Sequence, residues 1–211
     1  MLFKRIYYEL RIQADITYFF CFCLLLLISI FTHLGTMDEA TGFIENYIAL
    51  AAIILYSNVF FYRQRHNIVE IEAQYKYSVY GRVYRSMFAI LILFILIIIF
   101  TYFIFAVQTN SRGISLKLYA FNMYSIIVFF GAFTIFMFSV TKSISIALTS
   151  SIILWVLNSS LNSLIPHEYK IFNAYLGENW LKVKLIYLLG GITLFIINQL
   201  IYNKRFRYEF K

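Results

Sequence analysis

The stretch LYAFNMYSIIVFFGAFTIFMFSVTKSISIALTSSIILWVLNSSLNSLI, running from Leu118 to Ile165, carries one charged residue, Lys142. The hydrocarbon core of a bilayer is about 30 Å thick and a helix rises about 1.5 Å per residue, so roughly 20 apolar residues cross it once. The stretch is about twice that length. It reads as two spans, Leu118–Thr141 and Ser143–Ile165, folded back on each other at Lys142 as a tight helical hairpin.

Outward from this hairpin, four further runs lack Asp, Glu, Lys and Arg: Ile16–Met37, Asn46–Tyr62, Ser86–Ser111 and Leu185–Asn203. The run at Asn46 is short, and it gains Phe43 and Ile44 if Glu45 rests at the interface. Six runs predict an all-α membrane protein with six transmembrane helices. Such helices close their backbone hydrogen bonds internally, and no alternating polar-in pattern points to a β-barrel. Composition agrees, since 62% of the 211 residues are hydrophobic and 13% charged, against about 25% charged in soluble domains. With one proline and eight glycines there is no linker-like stretch, so residues 1–211 read as a single transmembrane domain. Lys4 and Arg5 precede the first run as in a signal peptide. That run is too long for a signal core and has no small-x-small site near Gly35, so it is expected to stay as the first span.

The net charge of +8 is explained by where the basic residues fall. With the N-terminus inside, 13 of the 18 Lys and Arg lie on inside segments, including Arg63, Arg65, Arg82, Lys142 and the cluster Lys204, Arg205 and Arg207. The outside segments hold Arg112, Lys117, Lys170, Lys182 and Lys184, and the first outside loop has Asp38, Glu39 and Glu45 without a base. The positive-inside rule then places both termini in the cytoplasm of a multi-pass plasma-membrane protein. Lipid, and not nucleic acid, is the expected counterpart of the charge.

Four segments stand out between the spans. Residues 1–13, opening MLFKRIYYELRI, set Leu2, Phe3, Ile6, Tyr7 and Leu10 along one side, an interfacial amphipathic helix that anchors to the membrane surface, docks a partner, or does both. Residues 63–85 form the longest inside segment, with Ile68, Ile71, Tyr75 and Val79 at helical spacing and Glu72 and Lys76 as an i,i+4 pair. Gly81 offers a break before the third span. This segment is either a solvated loop with a basic rim or a lever for a cytoplasmic subunit. The fifth span ends in Asn158, Ser159, Ser160, Asn162 and Ser163; polar groups there either pack helices together or line a pathway, and Asn122, Asn198 and Gln199 carry the same two readings. Residues 166–183, with His167, Glu168, Glu178 and Trp180, are apolar in their middle at Ile171, Phe172, Tyr175 and Leu176. They read as short reentrant helices sealing the outer face, or as an interfacial loop pinned by aromatics.

Chemistry is sparse. His33, His66 and His167 fall on different span ends or loops, Cys21 and Cys23 have no partner pair, and no His-Glu-x-x-His, Gly-x-Ser-x-Gly or phosphate-binding lysine loop occurs. No catalytic or metal site is therefore expected. No charged residue falls in the middle of any of the six runs, which argues against an ion-coupled carrier and leaves energy to be supplied by another chain.

This layout resembles the small permease subunits of ABC-2 type exporters. The matching pieces are MLFKRIYYELRI, FFYRQRHNIVEIEAQYKYSVYGRVYRS, PHEYKIFNAYLGENW and YNKRFRYEFK, which stand where that family has its connecting helix, coupling helix, reentrant segment and basic C-terminus. Glu70 and Glu72 supply the acidic part of the family's coupling region, and Tyr77-Ser78-Val79 stands in place of its proline-containing turn. The resemblance implies an ABC ATP-binding subunit gripping Arg63, Arg65, Glu70, Glu72, Lys76 and Arg82, with ATP and Mg bound by that partner and no cofactor in this chain. It also implies a second permease chain, identical or different, completing the pathway. Candidate pathway or gate residues are Asn122, Asn158, Asn162, Glu168, Glu178 and Trp180. Small permeases of this kind resemble antimicrobial-peptide or bacteriocin exporters and immunity pumps, so the expected cargo is an amphipathic peptide. Phe129, Phe130, Phe133 and Phe136 would line its groove or simply pack. The competing reading is a non-transporting sensor or assembly partner, for which residues 63–85 could be replaced by a neutral linker without loss.

Overall fold

The structure, a computed structural model, describes residues 16–31, 36–65, 79–109, 115–160, 166, 170–172 and 180–209. Among these there are six helices: α1 (Ile16–Phe31), α2 (Met37–Arg65), α3 (Val79–Thr109), α4 (Leu116–Thr141), α5 (Ile144–Ser160) and α6 (Trp180–Glu209). Four contain stretches long and apolar enough to cross a membrane, at Met37–Val59, Met87–Thr109, Leu116–Thr141 and Trp180–Ile201; the described parts of α1 and α5 are shorter and equally apolar. The chain is an all-α, multi-pass membrane protein.

Local sequence explains the helix starts. Thr36 accepts a hydrogen bond from the Glu39 N–H at 3.2 Å, so α2 opens on a Thr-x-x-Glu cap with Asp38 and Glu39 at its positive end. Ser115 caps α4 and Ser143 caps α5 in the same way. Between α4 and α5 stand Lys142 and Ser143 alone. Lys142 adopts the left-handed conformation at φ 56°, and its N–H donates to the Phe138 carbonyl at 2.7 Å, which closes α4. The expected hairpin at Lys142 is therefore present.

Helix direction follows from pairs of contacts. Glu45 of α2 meets Lys184 of α6 and Asn122 of α4, while farther along Tyr56 meets Phe195 and packs over Gly131. These three helices thus run parallel. Thr101 of α3 bonds Tyr119 of α4, and Trp155 of α5 bonds the Asn46 carbonyl of α2, so α3 and α5 run the other way. Gln108 of α3 donates to the Ser29 and Ile30 carbonyls of α1, placing α1 with α3. Successive helices alternate in direction, which brings Arg65, Val79, Lys142 and Glu209 to one end of the bundle, called the basic end here.

Helix α4 is the centre. It packs on α2, α3, α5 and α6, while α1 leans on α2 and α3. Tyr119, Met123, Ile126, Ile127, Phe130 and Ile135 of α4 are buried. In lipid there is no hydrophobic drive between helices, so close packing and interhelical hydrogen bonds hold them together. Both are present: a Cβ on Gly131 would lie 2.6 Å from the Tyr56 ring, and one on Gly191 would lie 3.0 Å from the Phe129 backbone. Thr134 donates to Ser151 at 2.9 Å, and Ser139 donates to Asn198.

Three expectations are corrected. Gly81 does not break the chain before the third span, because α3 already begins at Val79 and carries Gly81 within it. The second span does not start near Asn46, because the cap at Thr36 starts α2 at Met37. The outer segment 166–183 ends earlier than predicted, because Trp180 to Val183 belong to α6.

Candidate functional site

Glu45 lies two turns into α2, and both it and Lys184 are fully buried, at 0% exposure. The Lys184 Nζ donates to Glu45 Oε1 at 3.3 Å and to the Ile171 carbonyl at 2.5 Å, and the Asn122 amide also donates to Glu45 Oε1. One carboxylate, one ammonium, one amide and one main-chain carbonyl therefore converge from α2, α6, α4 and the segment preceding α6. Removing either charge would strand the other away from water, whereas together they form a neutral cluster.

The surroundings fit this arrangement. Ile171 and Phe172 are buried, and Phe172 stacks on Phe130 with ring centroids 5.8 Å apart and planes 7° from parallel. Two of the apolar side chains expected at the middle of the outer segment are thus buried. Tyr119, one turn before Asn122, is buried and bonded to Thr101 at 3.0 Å. Asn122 Oδ1 and the Tyr56 hydroxyl have no hydrogen-bond partner among the described residues. As chemistry, the cluster fastens helices: its carboxylate is already engaged by a cation and an amide. Among the described residues no group of His, Cys, Asp and Glu could hold a metal ion.

Three of the six predicted pathway residues, Asn122, Asn158 and Trp180, are among the described residues. Asn122 joins the cluster, but Asn158 donates to the Leu154 carbonyl of its own helix at 2.9 Å, and Trp180 opens α6. Asn162, Glu168 and Glu178 lie outside the described residues. Of the four phenylalanines, Phe130 is fully buried under Phe172, and Phe129 packs on Phe130 at 5.6 Å and on Tyr187 at 5.0 Å. Of the predicted coupling residues, Arg63 and Arg65 end α2 and Arg82 lies in the first turn of α3, both at the basic end. Glu70, Glu72, Lys76 and the amphipathic segment 1–13 lie outside the described residues.

Sequence reasoning missed Glu45 and Lys184, assigning one to an interface and the other to a loop. Their burial removes the ground on which an ion-coupled carrier was set aside, because a carboxylate does lie inside an apolar helix. The signal was available: Thr36-Met37-Asp38-Glu39 is a capping box, and a helix starting at Met37 carries Glu45 two turns inward. No protein-family model matches the chain, and neither a curated protein nor a solved structure does so.

Proposed function

We propose that this chain is the transmembrane subunit of an ATP-driven ABC exporter, moving an amphipathic substrate, a peptide, outward by alternating access. Its six helices each cross the plasma membrane, with both termini in the cytoplasm, and a second permease chain completes the pathway. ATP and Mg are bound by a partner ATPase, and this chain has no catalytic centre of its own.

The observation that carries the reading is the length of α2 and α3. Both continue as unbroken helix beyond their apolar stretches at the basic end, α2 from Val59 to Arg65 and α3 from Val79 to Met87. In sequence, the charged residues 66–78 join these two helical extensions. A partner bound to the extensions would move both helices, because each continues unbroken into the bundle.

Purification of the chain from its native host in mild detergent tests this. An ATPase should copurify, and Glu70→Lys combined with Glu72→Lys should release it and abolish export. If none copurifies and the double variant exports normally, the reading is wrong. The buried Glu45 favours a second reading, an ion-coupled carrier. That one predicts transport without nucleotide, collapsing when an ionophore removes the proton gradient.

A further inference from the structure

Helices α2 and α6 both pack on α4 and touch each other through two contacts in one register. Glu45 meets Lys184, and Tyr56 meets Phe195 with ring centroids 6.5 Å apart, the same eleven-residue offset on both helices. Yet α6 has an extended packing seam only with α4. That seam is close at Gly191, against Val128 and Phe129, and is tied at the basic end by Ser139 and Asn198. At the opposite end, the Glu45–Lys184 pair joins α6 to α2.

We propose that Glu45 and Lys184 form a latch, and that opening it lets the start of α6 move away from α2 while the Gly191 seam and the Ser139–Asn198 bond hold α6 on α4. Three features carry this. The pair is fully desolvated, so parting its charges without admitting water is costly. Lys184 also holds the Ile171 carbonyl, so the same break frees the residues that cover Phe130. And Ala49 and Ala52, both fully buried, lie on the same stripe of α2 as Glu45 and Tyr56, the two residues that touch α6, so movement of α6 off that stripe would be read there. As a helix movement the latch stands by itself. As the outer opening of a transport pathway it rests on the exporter reading.

The test reads cleft opening directly, using the full chain in liposomes with no ATPase or nucleotide. Cys21 and Cys23 are replaced by serine, and a single cysteine is introduced by Ala49→Cys, one turn from Glu45 on the same face. Labelling by a water-soluble thiol reagent should be slow with the latch intact, faster by at least about tenfold with Lys184→Met, and slow again with Lys184→Arg, which keeps the charge and both donors. A second probe, Ser151→Cys, sits fully buried between α4 and α5 against Thr134 and should stay unreactive in every background. Equal labelling of Ala49→Cys in Lys184→Met and Lys184→Arg overturns the latch. So does simultaneous exposure of the Ser151→Cys probe, which would mean that the whole bundle had loosened. Neither outcome bears on ATPase copurification, so the latch and the exporter reading fail separately.

Discussion

Helices α2 and α6 run parallel on the same central helix, yet 72% of the apolar stretch of α2 is covered by protein and only 17% of that of α6. Helix α2 is enclosed by α1, α3, α4 and α5; α6 rests on α4. Coverage explains their compositions. Glu45 is tolerated in α2 because α6 and α4 take up its charge and hydrogen bond, while the buried Thr41 and Ser57 donate to the Met37 and Ile54 carbonyls of their own helix. The outward side of α6 has no such shelter and is built from Leu185, Leu189, Ile192, Ile196 and Leu200, all exposed to the surroundings of the bundle. One helix is a core element and the other an outer wall, and they touch through a buried charge pair and the Tyr56–Phe195 ring contact.

The largest effect is expected where the two meet. Lys184→Met or Glu45→Gln alone should destabilise the chain by about 3–5 kcal/mol, because each leaves a buried charge without its partner. The combined variant should recover most of that loss, as read by reversible unfolding in mixed micelles. A single variant as stable as the parent would mean that α6 does not depend on α2 at all. Next, Gly131→Ala and Gly191→Ala should each cost about 1–3 kcal/mol through overpacking. Gly131→Ala should be the worse of the two. It drives a methyl into the enclosed Tyr56 ring, and α2 cannot retreat, whereas α6 is free to shift outward from Phe129. Equal costs would erase the difference in enclosure.

Smaller effects sharpen the same contrast. Trp155→Phe removes the hydrogen bond from α5 to the Asn46 carbonyl of α2 and should lower stability by about 0.6 kcal/mol, typical of a polar tie between helices in lipid. On the exposed side of α6, Leu189→Ala and Ile196→Ala should change stability by less than about 0.5 kcal/mol in the same micelles. Losses of several kcal/mol there would show that another chain covers this side.

Much of the architecture was legible because it follows from span length and charge. The reversal at Lys142 needed only a run too long for one crossing, and the shared basic end follows from the distribution of Arg and Lys. The site was not legible, because a span definition that excludes charged residues cannot find a charge pair inside a span. Glu45 and Lys184 lie 139 positions apart, and only the parallel packing of α2 and α6 on α4 brings them together. The role of Gly191 is hidden likewise: at its neighbour Gly190 a Cβ would make only ordinary contact, 3.9 Å from the Phe129 ring. Nothing in the pair Gly190-Gly191 alone says which one faces the seam.

The turn at Lys142 and Ser143 also bears on how the chain is made. Two residues give no water-exposed domain to thread across, and no slack for one helix to wait in the headgroups while the other enters the bilayer. Helices α4 and α5 are therefore expected to enter a bilayer together, as one hairpin. The direction of α5 is inherited from α4, since the turn offers a single lysine and no second charged flank to reorient it.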